Sequence, residues 1–183
     1  TIAIASQSGN LLSAFMNLSR QYNIGISRGI STGNQTCLDT SDYIDYFAND
    51  DETSVIVSYV EGVSDGRRFY EAIKNASAVK PVIVIRGGSS PEGAKAASSH
   101  TGALATDEKV FEGMLKQAGA FLADDPLMAY EWASTFATQP KPSGPNTVVL
   151  TQAGGWGVLT ADAISKASLN LIDLPNDLIS KID

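Results

Sequence analysis

Short apolar runs alternate with longer stretches of helical period along this chain. Residues 1–5 read as a first strand, and Leu11, Ala14, Phe15 and Leu18 then recur at i, i+3, i+4 and i+7 as one buried helix face. Residues 24–30 predict a second strand. After a loop at Ser31-Thr32-Gly33-Asn34, a short acidic helix over 42–48 leads into the β-rich run 54–60. Phe69, Ala72, Ile73 and Ala76 repeat the helical spacing, with Asp65 near the positive end of that helix. Pro81 opens the clearest buried strand, Val82-Ile83-Val84-Ile85, which runs into a loop of small residues over 87–100. A helix with Val110, Phe111, Met114, Leu115 and Ala118 inward follows, then a short strand over 120–123 and a helix over 127–138. This rhythm predicts an α/β fold, a doubly wound parallel sheet with helices on both faces.

The run Gln139-Pro140-Lys141-Pro142-Ser143-Gly144-Pro145 is rich in proline and glycine and marks a linker. The expected organisation is a complete domain over 1–139, a linker over 140–146 and a second unit over 147–183. In that unit a strand over 147–151 precedes the glycine turn Ala153-Gly154-Gly155-Trp156-Gly157, a helix and a strand over 170–174. Such a short unit reads as the beginning of a second, similar α/β domain, too small to fold well alone.

Composition narrows the picture. With 183 residues, 43% hydrophobic and 18% charged, the chain is globular and holds one full domain and a remainder. Its apolar runs are far shorter than the roughly 20 residues a membrane helix needs, so no bilayer is spanned. The start carries neither an initiator Met nor the features of a signal peptide, and the chain is read as a piece of something longer. Thirteen basic and 20 acidic residues give a net charge of −7, which disfavours nucleic acid and anionic lipid as partners. Cys37 is the sole cysteine and His100 the sole histidine, which excludes an intrachain disulfide, a thiolate cluster and any metal site needing two imidazoles. That cysteine usage suits a reducing cytoplasm.

Ligands of open parallel sheets bind beyond the carboxyl ends of the strands. Three strand-to-helix loops there are candidates for seating an anion. In Ser6-Gln7-Ser8-Gly9-Asn10, hydroxyls and N–H groups at a helix start can cradle phosphate, or Ser8 can simply cap the helix. The second, Arg86-Gly87-Gly88-Ser89-Ser90-Pro91-Glu92-Gly93-Ala94-Lys95, has the glycine gap of a P-loop but fails the pattern, because Ala94 stands where its lysine is required. The third, Gly155-Trp156-Gly157 with Asp173 downstream, is a degraded dinucleotide fingerprint in which Thr160 replaces the last small residue.

His100 lies among small residues in Ser98-Ser99-His100-Thr101-Gly102-Ala103, where a bulky partner could reach its imidazole. Glu61 follows a predicted strand and could reach the same sheet edge. A carboxylate bonded to one ring nitrogen makes the other a better nucleophile. An ordinary histidine and a solvated loop glutamate are the alternatives.

In this setting the chain resembles the nucleoside-diphosphate-forming acyl-CoA synthetases, relatives of succinyl-CoA synthetase. The resemblance is carried by Ser6-Gln7-Ser8-Gly9, Gly33-Asn34, Tyr59-Val60-Glu61-Gly62 with Asp65-Gly66-Arg67-Arg68-Phe69, and Lys80-Pro81-Val82-Ile83-Val84. It continues through Ala96-Ala97-Ser98-Ser99-His100-Thr101-Gly102-Ala103-Leu104 and Thr151-Gln152-Ala153-Gly154-Gly155-Trp156-Gly157-Val158-Leu159. It implies a flavodoxin-like CoA-ligase domain and the start of another, with the CoA-binding and ATP-grasp domains or subunit elsewhere, in a full-length protein that is an oligomer. It further implies that His100 is the nucleophile that becomes phosphohistidine and that Glu61 orients it. Ser6, Ser8, Gly9 and Asn10, with Ser99, Thr101 and Gly102, would hold the phosphoryl group. The resemblance implies no permanently bound cofactor. CoA and Mg-ATP or ADP are substrates held largely by the missing domains, and a small carboxylic acid or its acyl-CoA is the other partner.

The chain departs from the family pattern where Arg86 replaces a lysine, Ser89 an arginine, and Gln152 and Trp156 an asparagine and a proline of the second glycine turn. Two other functions compete. One is a non-catalytic acyl-CoA-sensing or docking module, like the synthetase-like regions of some protein acetyltransferases, in which His100 and Glu61 would have no use. The other is a dinucleotide-binding oxidoreductase.

Overall fold

A computed structural model describes residues 1–90, 92, 93, 95 and 107–182 of the chain. They divide into two compact units, Thr1–Gln139 and Pro140–Asp183. In the first, the strands are β1 (Ile2–Ser6), β2 (Ile26–Ser31), β3 (Val55–Val60), β4 (Val82–Arg86) and β5 (Phe121–Ala123). The helices are α1 (Gly9–Tyr22), α2 (Thr40–Ala48), α3 (Gly66–Ser77), α4 (Glu108–Ala118) and α5 (Pro126–Thr138). The strands form one parallel sheet in the order β2-β1-β3-β4-β5. The doubly wound expectation therefore holds.

Alternate residues of each central strand enter one of two cores, which is why β1 and β4 are apolar almost throughout rather than alternating. Ala3, Ala5, Ile56, Val60, Val82 and Val84 pack against Phe47, Phe69, Ile73, Phe111 and Leu115 of α2, α3 and α4. On the opposite face, Ile2, Ile4, Val55, Val57, Ile83 and Ile85 meet Phe15 of α1 and Ala129, Tyr130 and Ala133 of α5. Each buried Val, Ile or Phe side chain contributes roughly 1.5–3 kcal/mol.

The helix ends follow sequence rules. Asp39 begins α2 in a capping box, accepting from the N–H groups of Ser41 (2.7 Å) and Asp42 (3.1 Å) while Asp42 accepts from its own N–H (2.9 Å). Asp65, Asp107 and Asp125 cap α3, α4 and α5, and Pro126 takes the first helical position, where no N–H is needed. Gly119 closes α4 at φ 81°, a left-handed conformation that favours glycine.

In the second unit, β6 (Asn146–Thr147) and β7 (Asn170–Leu171) pair in parallel, with α6 (Gly154–Lys166) between them and α7 (Asn176–Ile182) after them. Both strands are shorter than the apolar runs predict. The pairing between them covers two residues of each, and a strand persists only as far as a neighbour supplies its hydrogen bonds. The glycine run opens the helix that follows the strand. Gly154, Gly155 and Gly157 lie inside the first turn of α6, without positive φ, so they form helix rather than a turn before it. Among the described residues of this unit Ile164 is buried, whereas Leu150, Trp156, Val158 and Leu159 are exposed.

Candidate active site at the carboxyl edge of the sheet

The chain leaves β1 toward β2 on one side and reaches β3 on the other, so the carboxyl ends of β1 and β3 flank the topological switch point. Four predicted residues, Ser6, Ser8, Gly9 and Asn10, leave from β1, and Glu61 leaves from β3. Ser6 is fully buried, and its hydroxyl is taken up inside the turn. It donates to the Ser8 carbonyl (2.7 Å) and accepts from the Ser8 N–H (3.1 Å). It shapes the loop instead of facing outward. Ser8 is the N-cap of α1 and accepts from the Leu11 N–H at 3.3 Å. Gly9 and Asn10 then occupy the first two helical positions, whose N–H groups have no intrahelical acceptor. With the positive end of the helix macrodipole, they make that turn suited to an anion.

Beside it opens a cleft of about 460 Å³. Ser8, Asn10, Tyr59, Arg86 and Asp124 give its polar lining, with Leu11 and Ile85 among the apolar part. Arg86 also lies over the Phe111 ring, 4.7 Å from the centroid, and its Nη1 reaches the Asp107 carbonyl at 3.5 Å. A smaller cleft of about 190 Å³ includes Arg86, Ser89, Glu108 and Asp124 in its wall. Ser89 thus shares that wall with two carboxylates.

Glu61 is joined to the centre of this edge by Tyr59 and Gln7, to which the sequence alone assigns no role. Tyr59 donates from its hydroxyl to Glu61 Oε1 at 3.2 Å. Burial, together with the neighbouring Glu61 carboxylate, pushes the Tyr59 phenol up to about 12. Gln7, 7% exposed, spans the switch point. Its Oε1 accepts from the N–H groups of Glu61 (2.7 Å) and Gly62 (3.2 Å), and its Nε2 donates to the Gly62 carbonyl (2.8 Å). The two-residue period of a strand places Tyr59 and Glu61 on one side, a signal available in the sequence. Nothing local marks Gln7, whose partners lie just beyond the end of β3. Gly87 completes the arrangement, because a Cβ there would sit 2.4 Å from the Tyr59 hydroxyl and 3.2 Å from Glu61 Cγ.

His100, Ser99, Thr101 and Gly102 lie outside the described residues. Among the residues described, the structure brings Ser8, Asn10 and Tyr59 to one cleft and ties Tyr59 to Glu61.

This is a flavodoxin-like α/β unit with its polar machinery at the switch point. The chain belongs to the succinyl-CoA ligase like flavodoxin domain family, whose pattern matches residues 1–136. It is 43% identical to the α subunit of the ADP-forming acetate–CoA ligase I of Pyrococcus furiosus, over 94% of this chain and 37% of that protein. It is 39% identical to the ADP-forming 4-hydroxybutyrate–CoA ligase of Nitrosopumilus maritimus, over 100% of this chain and 26% of that protein. Among solved structures, the dinucleotide forming acetyl-coenzyme A synthetase 1 of Ca. Korarchaeum cryptofilum, in complex with phosphate and ADP, superposes with a TM-score of 0.89 at 38% identity. That match covers 100% of this chain and 40% of the solved one, so the chain spans two fifths or less of the length of each of these relatives. No described helix is long and apolar enough to cross a membrane.

Proposed function

We propose that this chain is the phosphoryl-relay segment of a cytoplasmic ADP-forming acyl-CoA synthetase, which interconverts a carboxylic acid, CoA and ATP with acyl-CoA, ADP and phosphate. The observation that carries the reading is the agreement along the chain with ADP-forming CoA ligases, together with a carboxylate and a helix start at one switch point. These relatives are ligases, which leaves the sensing-module reading without support.

In the relay, a nitrogen of neutral His100 attacks the γ-phosphorus of ATP. A phosphorus–nitrogen bond forms, the bond from phosphorus to the bridging oxygen breaks, and ADP leaves. Glu61 accepts the N–H at the other ring nitrogen and so fixes the tautomer and stabilises the imidazolium that develops. The Gly9 and Asn10 N–H groups at the start of α1, with Ser8 beside them, hold the phosphoryl oxygens. Ser99, Thr101 and Gly102, next to His100 in the sequence, would add hydroxyl and N–H donors to the phosphoryl group. This geometry favours an anion without a basic protein, in keeping with a net charge of −7. CoA and Mg-ATP are substrates bound largely by domains or a subunit beyond this segment, in an oligomeric enzyme.

The test is mass spectrometry under alkaline conditions on the full-length protein carrying this segment, after incubation with Mg-ATP, comparing wild type with His100→Asn. Acid-labile phosphate on the His100 peptide, absent from the variant, is the expected result. A folded, nucleotide-binding wild type without it would overturn the reading.

A further inference from the structure

We propose that Gln7 and Tyr59 are positioning residues that hold Glu61 from two sides, Gln7 fixing its main chain and Tyr59 its carboxylate. The inference rests on the role given above to Glu61 and adds what keeps that side chain in one orientation.

A glutamate just past the end of a strand has three side-chain torsions and a main chain no longer held by the sheet. Orientation of an imidazole by such a group needs both to be restrained. The main-chain restraint comes from Gln7, through the hydrogen bonds of 2.7 and 3.2 Å to the Glu61 and Gly62 N–H groups and of 2.8 Å to the Gly62 carbonyl. A carboxamide alone suits this place. Its oxygen faces two donors while its nitrogen faces an acceptor, whereas a carboxylate would set an acceptor against the Gly62 carbonyl. The Gln7 N–H also donates to the Tyr59 carbonyl (3.1 Å), so the same residue registers the end of β3 against β1.

The carboxylate restraint comes from Tyr59, whose ring packs in the core over α1 and α5 and whose hydroxyl reaches Glu61 Oε1 at 3.2 Å. The hydroxyl occupies the space that a Cβ on residue 87 would fill, so the glycine there makes room for this contact. A carboxylate has about four lone-pair positions, so accepting from Tyr59 is compatible with accepting from an imidazole N–H as well.

The experiment uses the full-length enzyme and follows the single-turnover rate of His100 phosphorylation over a range of Mg-ATP concentrations. The variants are Tyr59→Phe, Gln7→Met and Glu61→Ala, alone and combined. Tyr59→Phe removes one hydroxyl and Gln7→Met is close to isosteric. Each is expected to slow phosphorylation roughly 10-fold with the half-saturating ATP concentration unchanged, as for loss of an orienting partner. In the Glu61→Ala background neither should slow it further, a dependence that general loss of stability would not produce. Wild-type rates in both variants, or losses that multiply with that of Glu61→Ala, would overturn the proposal while leaving the relay intact. Should Gln7→Met fail to fold, Tyr59→Phe decides. Absence of phosphate from wild type would instead overturn the relay and this inference with it.

Discussion

Gly87→Ala adds one methyl group where the loop after β4 passes Tyr59, and the cost follows from distances. The added carbon would lie 2.4 Å from the Tyr59 hydroxyl oxygen and 3.1 Å from Cζ. Relief requires the hydroxyl to retreat by about 1 Å, since ordinary contact between such atoms begins near 3.5 Å. The ring sits in the core formed with Ile83, Ile85 and α5, so the movement is resisted and the bond to Glu61 is lost. Overpacking costs about 1–3 kcal/mol and the lost hydrogen bond about 1 kcal/mol. Restriction of the unfolded chain returns about 0.5 kcal/mol, because Gly87 has no positive φ that alanine would strain. The expected net loss is about 2 kcal/mol. In a Tyr59→Phe background the nearest obstacle is gone, and the same alanine should cost about 1 kcal/mol or less. Urea unfolding of the four proteins, followed by far-UV circular dichroism with equal m-values, measures this cycle. Equal costs in the two backgrounds, within about 0.5 kcal/mol, would show that the Tyr59 hydroxyl is not the obstacle.

Further predictions concern the elements that carry the site. Asp39→Ala removes the cap that accepts from Ser41 and Asp42, and should lower stability by about 1 kcal/mol in urea titration. The Lys80 Nζ donates to the Phe47 carbonyl (2.8 Å) and the Asp50 carbonyl (2.6 Å) at the end of α2. Lys80→Met should cost about 1–2 kcal/mol, read from the thermal midpoint. The Asp39 N–H and then Arg68 hold the Asp42 carboxyl below the usual aspartate range, and the Thr53 hydroxyl and then Arg28 do the same for Asp50. Both contributions are complete above the unfolded aspartate pKa of roughly 4 and are lost as pH falls through the lower folded values. The urea midpoint should therefore decline below that pH, and Thr53→Val should make the decline shallower.

Much of the fold was legible because its causes are local. The periods of 2 and 3.6, the aspartates before α3, α4 and α5, and Pro126 at the head of α5 each declare an element through contacts within a few residues. The apolar runs of β1, β3 and β4 required cover on both faces, and hence a doubly wound sheet. Ser8 and Glu61 could likewise be placed at strand ends by counting along the chain. The tertiary structure alone decided what these residues touch. It turned the Ser6 hydroxyl inward, laid Arg86 on Phe111, and drew the second unit's glycines into the first turn of α6. It also made Gln7 the bridge of the switch point, through partners 54 and 55 positions away. A hydrogen bond between strand ends exists only once the sheet order brings them together, and no local pattern of residues encodes it.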